Sequence, residues 1–398
     1  MLVLGVEMAL LCLVAGCWDR VEIGDRLYVF SLVVDRPQEG QGPEPGKAPA
    51  PKPLLYRVGI EVSLWKQLRG GMTGAGGGAV GGAGKGGGLT PEKPAWVMAS
   101  AADTVAKALD QLHKRTFRVV SLSHLKVVIQ GEAQARRGID GVLDFLERHP
   151  AVQRRVNMTV APGEGLDLLQ ANPPIDQLVA RALPMLLGET ATAPYSVDVN
   201  LGDVISKHHA KASYLIPRVR RTQDGLVLGG AGVFRHDRLT GWLGEEECAG
   251  YNWITGRVKE QVLQYRLPGA EGSDAYQVIR LRSGRRRLTL AMAGGRPVFR
   301  LSVAAAGDLE ESPVALDSPE EVRQVNREAA RALRRQIEQA LAAQRRLKAE
   351  FCGFGELVRE RQPRLWDKVK DRWDEYFAKE ARVDVSVRVK LRFHGEIR

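Results

Sequence analysis

From Val383 to His394 the chain alternates without interruption, with Val383, Val385, Val387, Val389, Leu391 and Phe393 set against Asp384, Ser386, Arg388, Lys390, Arg392 and His394. A period of two belongs to a strand, so this run must lie in a sheet that has one face on a core and the other in water. Upstream, Ser318, Pro319, Glu320 and Glu321 form a capping box with proline at the first helical position. Val322, Val325, Ala329, Leu333, Ile337 and Leu341 then recur at three or four residues. That is a long helix with one apolar stripe. A half-wet strand and a striped helix must cover each other's apolar faces, which predicts an antiparallel sheet packed on a long helix and an α+β fold. The strand's outward side is basic; it reads as a solvated face, with anionic lipid headgroups as the alternative.

Two tracts can join neither sheet nor helix. Residues 37–53 hold six prolines and read as a solvated, polyproline-like loop, while residues 70–88 hold 12 glycines and read as a flexible, disordered loop. Gly84 and Lys85 suggest a phosphate loop, but that pattern needs Gly at 79 and Ser or Thr at 86, where the chain has Ala79 and Gly86. Around these tracts, strands are expected at 27–34, 54–64, 124–130 and 155–161, and helices at 99–114 and 139–148. Pro173 and Pro174 mark a boundary. Beyond it, short helices at 175–187 and 199–207 and an extended run at 212–219 follow. From Leu226 the pattern turns to short strands, at 226–235, 239–243, 276–281, 288–293 and 298–305. Gly353 and Gly355 are expected to end the long helix, and a second helix covers 365–377. The expectation is a three-domain mixed architecture, with β-sheets flanked by helices: an N-terminal α/β domain at 17–165 carrying both loops, a middle domain at 166–225, and a C-terminal domain at 226–398.

Residues 1–16 read as a lipoprotein signal peptide. The apolar run falls short of the about 20 residues that a membrane-spanning helix needs. It ends in Leu13, Val14, Ala15, Gly16 and Cys17, which resembles the bacterial lipobox, where the cysteine takes a diacylglyceryl group. No Lys or Arg precedes the run and Glu7 interrupts it, as a start codon assigned too far downstream would explain. Of the four cysteines, Cys12 leaves with the signal and Cys17 carries lipid, so Cys248 and Cys352 remain. They lack metal-ligand spacing, and either pair or sit as buried thiols. The net charge of +11 suits an anionic partner, and export sets nucleic acid aside in favour of anionic lipid or an acidic protein surface.

Catalytic patterns are absent from the sequence. There is no H-E-x-x-H and no G-x-S-x-G, and adjacent His208 and His209 point apart on either a helix or a strand. Glu245, Glu246 and Glu247 read as solvated carboxylates at a turn rather than as an acid/base pair across a cleft. No cofactor and no metal are expected.

Three blocks point to one family. They are Gly16, Cys17, Trp18 and Asp19 with Glu22 and Ile23; Gly232, Val233, Phe234, Asp237, Leu239, Gly241, Trp242, Leu243, Glu245, Glu246, Gly250, Tyr251 and Trp253; and Gly353, Phe354, Gly355, Glu356, Trp366, Trp373, Asp374 and Phe377. In this order and spacing the chain resembles the Ger(x)C family, the lipoprotein C subunits of spore germinant receptors. The resemblance implies a non-catalytic subunit held by acylated Cys17 on the outer face of the spore inner membrane. It also implies assembly with integral-membrane A and B subunits in a receptor for small nutrients. Trp242 and Tyr251 are candidate partner-interface residues, with core packing as the alternative. Competing readings are a solute-binding lipoprotein that captures the nutrient itself and a surface-anchored cortex or wall hydrolase using Glu245 or Glu246.

Overall fold

The computed structural model describes residues 26–37, 55–63, 95–171, 178–188, 194–267, 276–313 and 318–392. Cys17 and the signal-like run, the 70–88 tract, nearly all of the 37–53 tract, Pro173, Pro174, Phe393 and His394 lie outside the described residues. In chain order the strands are β1 (Arg26–Asp35), β2 (Tyr56–Ser63), β3 (Ala95–Ala102), β4 (Val119–Ser121), β5 (Val127–Gly131), β6 (Asn157–Ala161), β7 (Tyr214–Thr222), β8 (Gly225–Arg235), β9 (Arg238–Leu243), β10 (Glu260–Arg266), β11 (Tyr276–Ala293), β12 (Arg296–Glu311) and β13 (Arg382–Arg392). The helices are α1 (Val105–His113), α2 (Glu132–Arg137), α3 (Asp140–Arg148), α4 (Leu166–Leu169), α5 (Val179–Gly188), α6 (Leu201–His209), α7 (Glu245–Thr255), α8 (Pro319–Leu347), α9 (Phe354–Arg361), α10 (Pro363–Val369) and α11 (Trp373–Glu380).

The first nine strands make one mixed sheet in the order β3-β2-β1-β5-β6-β7-β8-β9, with β4 parallel to the start of β1. Its centre is parallel and buried on both faces. Leu32, Val34 and Val128 meet α1, α3 and α6 on one side, while Val33, Val127 and Ile129 meet α4 and α5 on the other. This is why Leu32, Val33 and Val34 are consecutive apolar residues rather than alternating ones.

Two buried carboxylates pin the second layer to the sheet. Glu61 on β2 accepts the Val179 and Ala180 amides at 2.9 and 3.0 Å, and Asp35 at the end of β1 accepts those of Gly165 and Leu166 at 2.7 and 3.0 Å. Burial lifts the Asp35 carboxyl to about 6 against the pull of these amides, and Glu164 adds to the lift. The folded chain therefore binds the extra proton between the ordinary Asp pKa of 3.8 and about 6, and stability falls as pH rises through that window. Asp35→Asn cannot ionise and also weakens the double amide contact. It is expected to be less stable than the parent near pH 4 and to recover about 2 kcal/mol relative to it by about pH 6.5. Urea melts of both proteins across this range check it, and parallel pH profiles would refute it.

Several sequence expectations change here. The helix expected over 99–114 begins only at Val105, because Ala95–Ala102 pairs antiparallel with β2 from Val62↔Trp96 to Tyr56↔Ala102. Thr104 caps the helix start by accepting the Lys107 amide at 3.2 Å. The boundary drawn at 225/226 falls in the β7–β8 hairpin, so 226–243 extends the first sheet instead of opening a separate β domain. The segment 166–225 forms no body of its own. Its helices α4 and α5 lie on one face of that sheet, α6 on the other, and β7 within it.

The second sheet has the order β10-β11-β12-β13. The two strands expected at 276–281 and 288–293 are one strand, irregular between Arg282 and Arg285. Three of its strands are antiparallel, but β13 lies parallel to β12 along its whole length, from Val298↔Arg382 to Asp308↔Arg392. The expected all-antiparallel sheet is corrected by the crossover of α8 to α11, which returns the chain to the end where β12 began. The long helix is present with its capping box: Ser318 accepts the Glu321 amide and Glu321 the Ser318 amide. It stops at Leu347 on a left-handed Lys348, ahead of the expected glycine stop, and Gly353 instead precedes α9. The 365–377 helix is broken into α10 and α11 by a 3₁₀ turn at Lys370–Arg372. Arg388, Lys390 and Arg392 are exposed and Val389 and Leu391 buried, giving the two faces that the alternation requires.

Candidate functional site

The sheets are joined by α7, a helix buried nearly all round. Its start is set by Gly244, whose amide donates to Glu247 Oε2 at 2.7 Å, and its end by left-handed Gly256. Between them Cys248, Ala249, Gly250, Tyr251, Asn252, Trp253 and Ile254 are all buried. Gly250 sits where α7 crosses α8: a Cβ there would overlap the Gln336 carbonyl and come within 3.0 Å of Ala340 Cβ. Buried polar groups on α7 are paired. Asn252 Nδ2 donates to Ser196 O at 2.7 Å, Trp253 Nε1 donates to Gln261 Oε1 at 2.5 Å, and Gln261 Nε2 passes a bond on to Gln336 Oε1 at 3.0 Å.

Tyr251 is therefore core. It is 7% exposed, its ring packs edge-on against Phe351 at 5.9 Å, and burial pushes its hydroxyl up to about 12. The interface role considered for it would require the junction to open. Trp242 on β9 is half-buried, with Nε1 donating to Glu132 Oε1 at 3.3 Å and the Arg218 guanidinium 5.8 Å above its ring. The carboxylates Glu245, Glu246 and Glu247 form the first turn of α7 rather than a loose turn, with Glu247 also 3.1 Å from Arg346. Acids at a helix start oppose the macrodipole favourably, which is a structural use. Cys248 and Cys352 are free, buried thiols.

Below the junction, the third sequence block assembles around a carboxylate that sequence reasoning missed. Glu350 is buried and accepts from the Gly353 amide at 2.7 Å, the Gly355 amide at 2.9 Å and Trp373 Nε1 at 3.0 Å. Burial raises its pKa against these donors. Asp374, also raised by burial, accepts the Glu350 amide at 2.7 Å and Ser213 Oγ at 2.9 Å. Phe354 stacks on Phe377 at 5.1 Å and lies 4.8 Å from Phe299, and Trp366 lies 5.5 Å from Trp373. Gly355 leaves room for the Trp373 indole. A Glu preceding a G-x-G turn was the only signal, and it resembles any solvated acid.

Over this floor opens a cleft of about 550 Å³ between the end of α6, the β8–β9 turn and helices α9 to α11. Lys207, Lys211, Arg235, Arg359, Lys370 and Arg372 line it together with the carboxylates Glu350, Glu356, Asp371 and Asp374, so cations exceed acids only modestly. Lys207 is paired with Glu356 and Arg235 with Glu375, whereas Lys211, Arg359 and Arg372 make no ion pair among the described residues. Lys211 and His236 are left-handed, at φ 53° and 57°, an uncommon backbone for non-glycine residues that concentrates at this rim. Such a rim suits an acidic side chain or a small anion. His208 and His209 reach different carboxylates, Asp140 and Glu147, each at 3.0 Å. Among the described residues no group of three or more His, Cys, Asp or Glu could hold a metal ion, and no helix is long and apolar enough to cross a membrane.

Comparison with known proteins gives two family matches in tandem. Residues 19–221 match the spore germination protein N-terminal domain, and residues 229–395 match the family described as spore germination B3/GerAC like, C-terminal. Among curated relatives, the chain is 26% identical to spore germination protein YndF of Bacillus subtilis (strain 168) over 402 residues, covering 98% of this chain and 97% of that protein. It is 23% identical to putative spore germination protein YfkR of the same strain, covering 92% and 90%, and 22% identical to spore germination protein KC, covering 96% and 92%. The crystal structure of the GerBC protein superposes with a TM-score of 0.56 at 19% identity, covering 84% of this chain and 93% of that one, a likeness of fold.

Proposed function

The chain belongs to the Ger(x)C family of GerAC-like spore germination proteins, and from that premise we propose that it is a lipid-anchored, non-catalytic subunit of a spore germinant receptor, required for nutrient-triggered germination. The span of the likeness carries this reading, because two family segments follow one another in order through nearly the whole chain. In this reading Cys17 bears the diacylglyceryl group, two acyl chains that suffice for a stable anchor. The protein sits on the outer face of the spore inner membrane, and its partners are the integral-membrane A and B subunits. The basic cleft rim and the basic outer face of β13 offer surfaces of the right sign for an acidic partner.

Disrupting the gene in a spore former tests the role. Spores are expected to lose their response to at least one individual nutrient, and normal responses to every nutrient in a strain without other receptors of this kind would refute it. The anchor is tested separately. Cys17→Ala is expected to take up no labelled fatty acid and to move from the membrane to the soluble fraction; labelling equal to the parent's would rule the anchor out.

A further inference from the structure

The turn between α1 and β4 holds an aromatic ring out in water. Phe117 is fully exposed, yet its backbone is tied down. The amides of Arg115 and Thr116 donate to Leu112 O and His113 O at 3.1 Å, and Thr116 Oγ1 donates to Arg118 O at 2.8 Å. Arg115 Nη1 reaches Ala99 O at 3.0 Å. Lys114, Arg115 and Arg118 flank the ring and are exposed. Lys114 pairs with Asp110, while Arg115 and Arg118 make no ion pair among the described residues.

A lone exposed phenylalanine would need no explanation. Here Val119, Trp96 and Val97 are exposed as well, at 45, 41 and 36%. The register Arg26↔Val119 sets Val119, two residues beyond Phe117, beside the first residue of β1, and Val29↔Val62↔Trp96 places Trp96 two strands away toward the same end, while Val97 points to the other face of β3. Cys17 precedes Arg26 by nine residues, a stretch that reaches at most about 30 Å. A lipid on Cys17 therefore keeps this end of the sheet close to the bilayer surface. An aromatic ring among Lys and Arg suits that boundary, with the ring at headgroup level and the cations on anionic headgroups.

We propose that the turn 114–118, with Phe117 at its tip, is a second membrane contact that docks on anionic lipid beside the acylated N-terminus. The inference rests on the Cys17 anchor for its orientation. It gives the first sheet a defined orientation on the bilayer, where a single tether would let it swivel.

The test uses the chain from residue 17 onward carrying Cys17→Ala, so that no acyl group contributes, with vesicles of phosphatidylglycerol and phosphatidylcholine. Binding is expected on the mixed vesicles, weakening with salt and absent on phosphatidylcholine alone. Phe117→Ser and the double variant Arg115→Glu/Arg118→Glu are each expected to weaken it about tenfold while melting with the parent. Phe117→Cys labelled with an environment-sensitive dye is expected to shift to the blue on the same vesicles; Cys248 and Cys352 are buried and escape the label. Equal binding by parent and variants with unchanged dye emission overturns the proposal. So does loss of A- or B-subunit capture by Phe117→Ser when the parent does not bind vesicles, which would make the turn a protein interface. The N-terminal peptide mass of the full chain reads the anchor independently. An unacylated Cys17 with an intact vesicle response defeats the anchor and leaves the contact standing, and the converse defeats the contact alone.

Discussion

Replacing Gly250 by valine is expected to destabilise the protein by about 4 kcal/mol or more, at the upper end of overpacking effects. Glycine within a helix is ordinarily a weak point, and alanine in its place stabilises by up to ~1 kcal/mol. At Gly250 the sign reverses, because the obstructing atom is the Gln336 backbone carbonyl on α8 and cannot swing aside as a side chain would. α7 and α8 must separate, which loosens the pairing of Trp253 with Gln261 and of Gln261 with Gln336. Gly250→Ala is expected to cost about 1–3 kcal/mol by the same clash. Gly188→Ala is the internal control: among the described residues nothing lies within 4 Å of a Cβ at the last residue of α5, so it is expected to be neutral or slightly stabilising. Urea unfolding of the three variants decides the matter, and a Gly250→Ala protein as stable as the Gly188→Ala protein would disprove the close crossing.

A second large loss is expected from Glu350→Ala. The substitution strands the Gly353 amide, the Gly355 amide and the Trp373 indole in a buried site, at ~1–3 kcal/mol for each orphaned donor before relaxation. A total of about 4 kcal/mol is the expected result, with loss of the near-ultraviolet dichroism of the Trp366 and Trp373 pair. Glu350→Gln keeps one acceptor oxygen and turns its amide protons toward donors, so it should fall between the two. Wild-type stability and dichroism in the alanine variant would show that the carboxylate does not organise the turn.

These two positions differ in how far the sequence revealed them. The long helix was legible to its first residue, because the capping box at Ser318 and the stripe from Val322 to Leu341 are local signals. The last strand was legible as a strand for the same reason. Its parallel partner was not, since that depends on where a crossover of several helices returns the chain. β3 escaped because Ala95–Ala102 is mostly small residues whose strand state comes from β2. α7 escaped because a helix buried on every side shows no apolar stripe, and Glu245 to Glu247 then read as a turn. Gly244 before three acids, with Gly256 at the far end, was the available cue. The family blocks were legible as a resemblance, but their physical work was not: Gly250, Tyr251, Gly355 and Trp373 build the joint between the sheets, and only packing shows it.

The parallel pairing of β13 along all of β12 also sets the order in which the chain can fold. The first sheet is complete once residue 243 has been made, and its central pairings can form early. The second sheet waits for residues 382–392, with β12 holding an unpaired edge while α8 to α11 are still being synthesised. An open strand edge is a template for the wrong neighbour, so a chain cut short within the last helices should aggregate rather than fold in part.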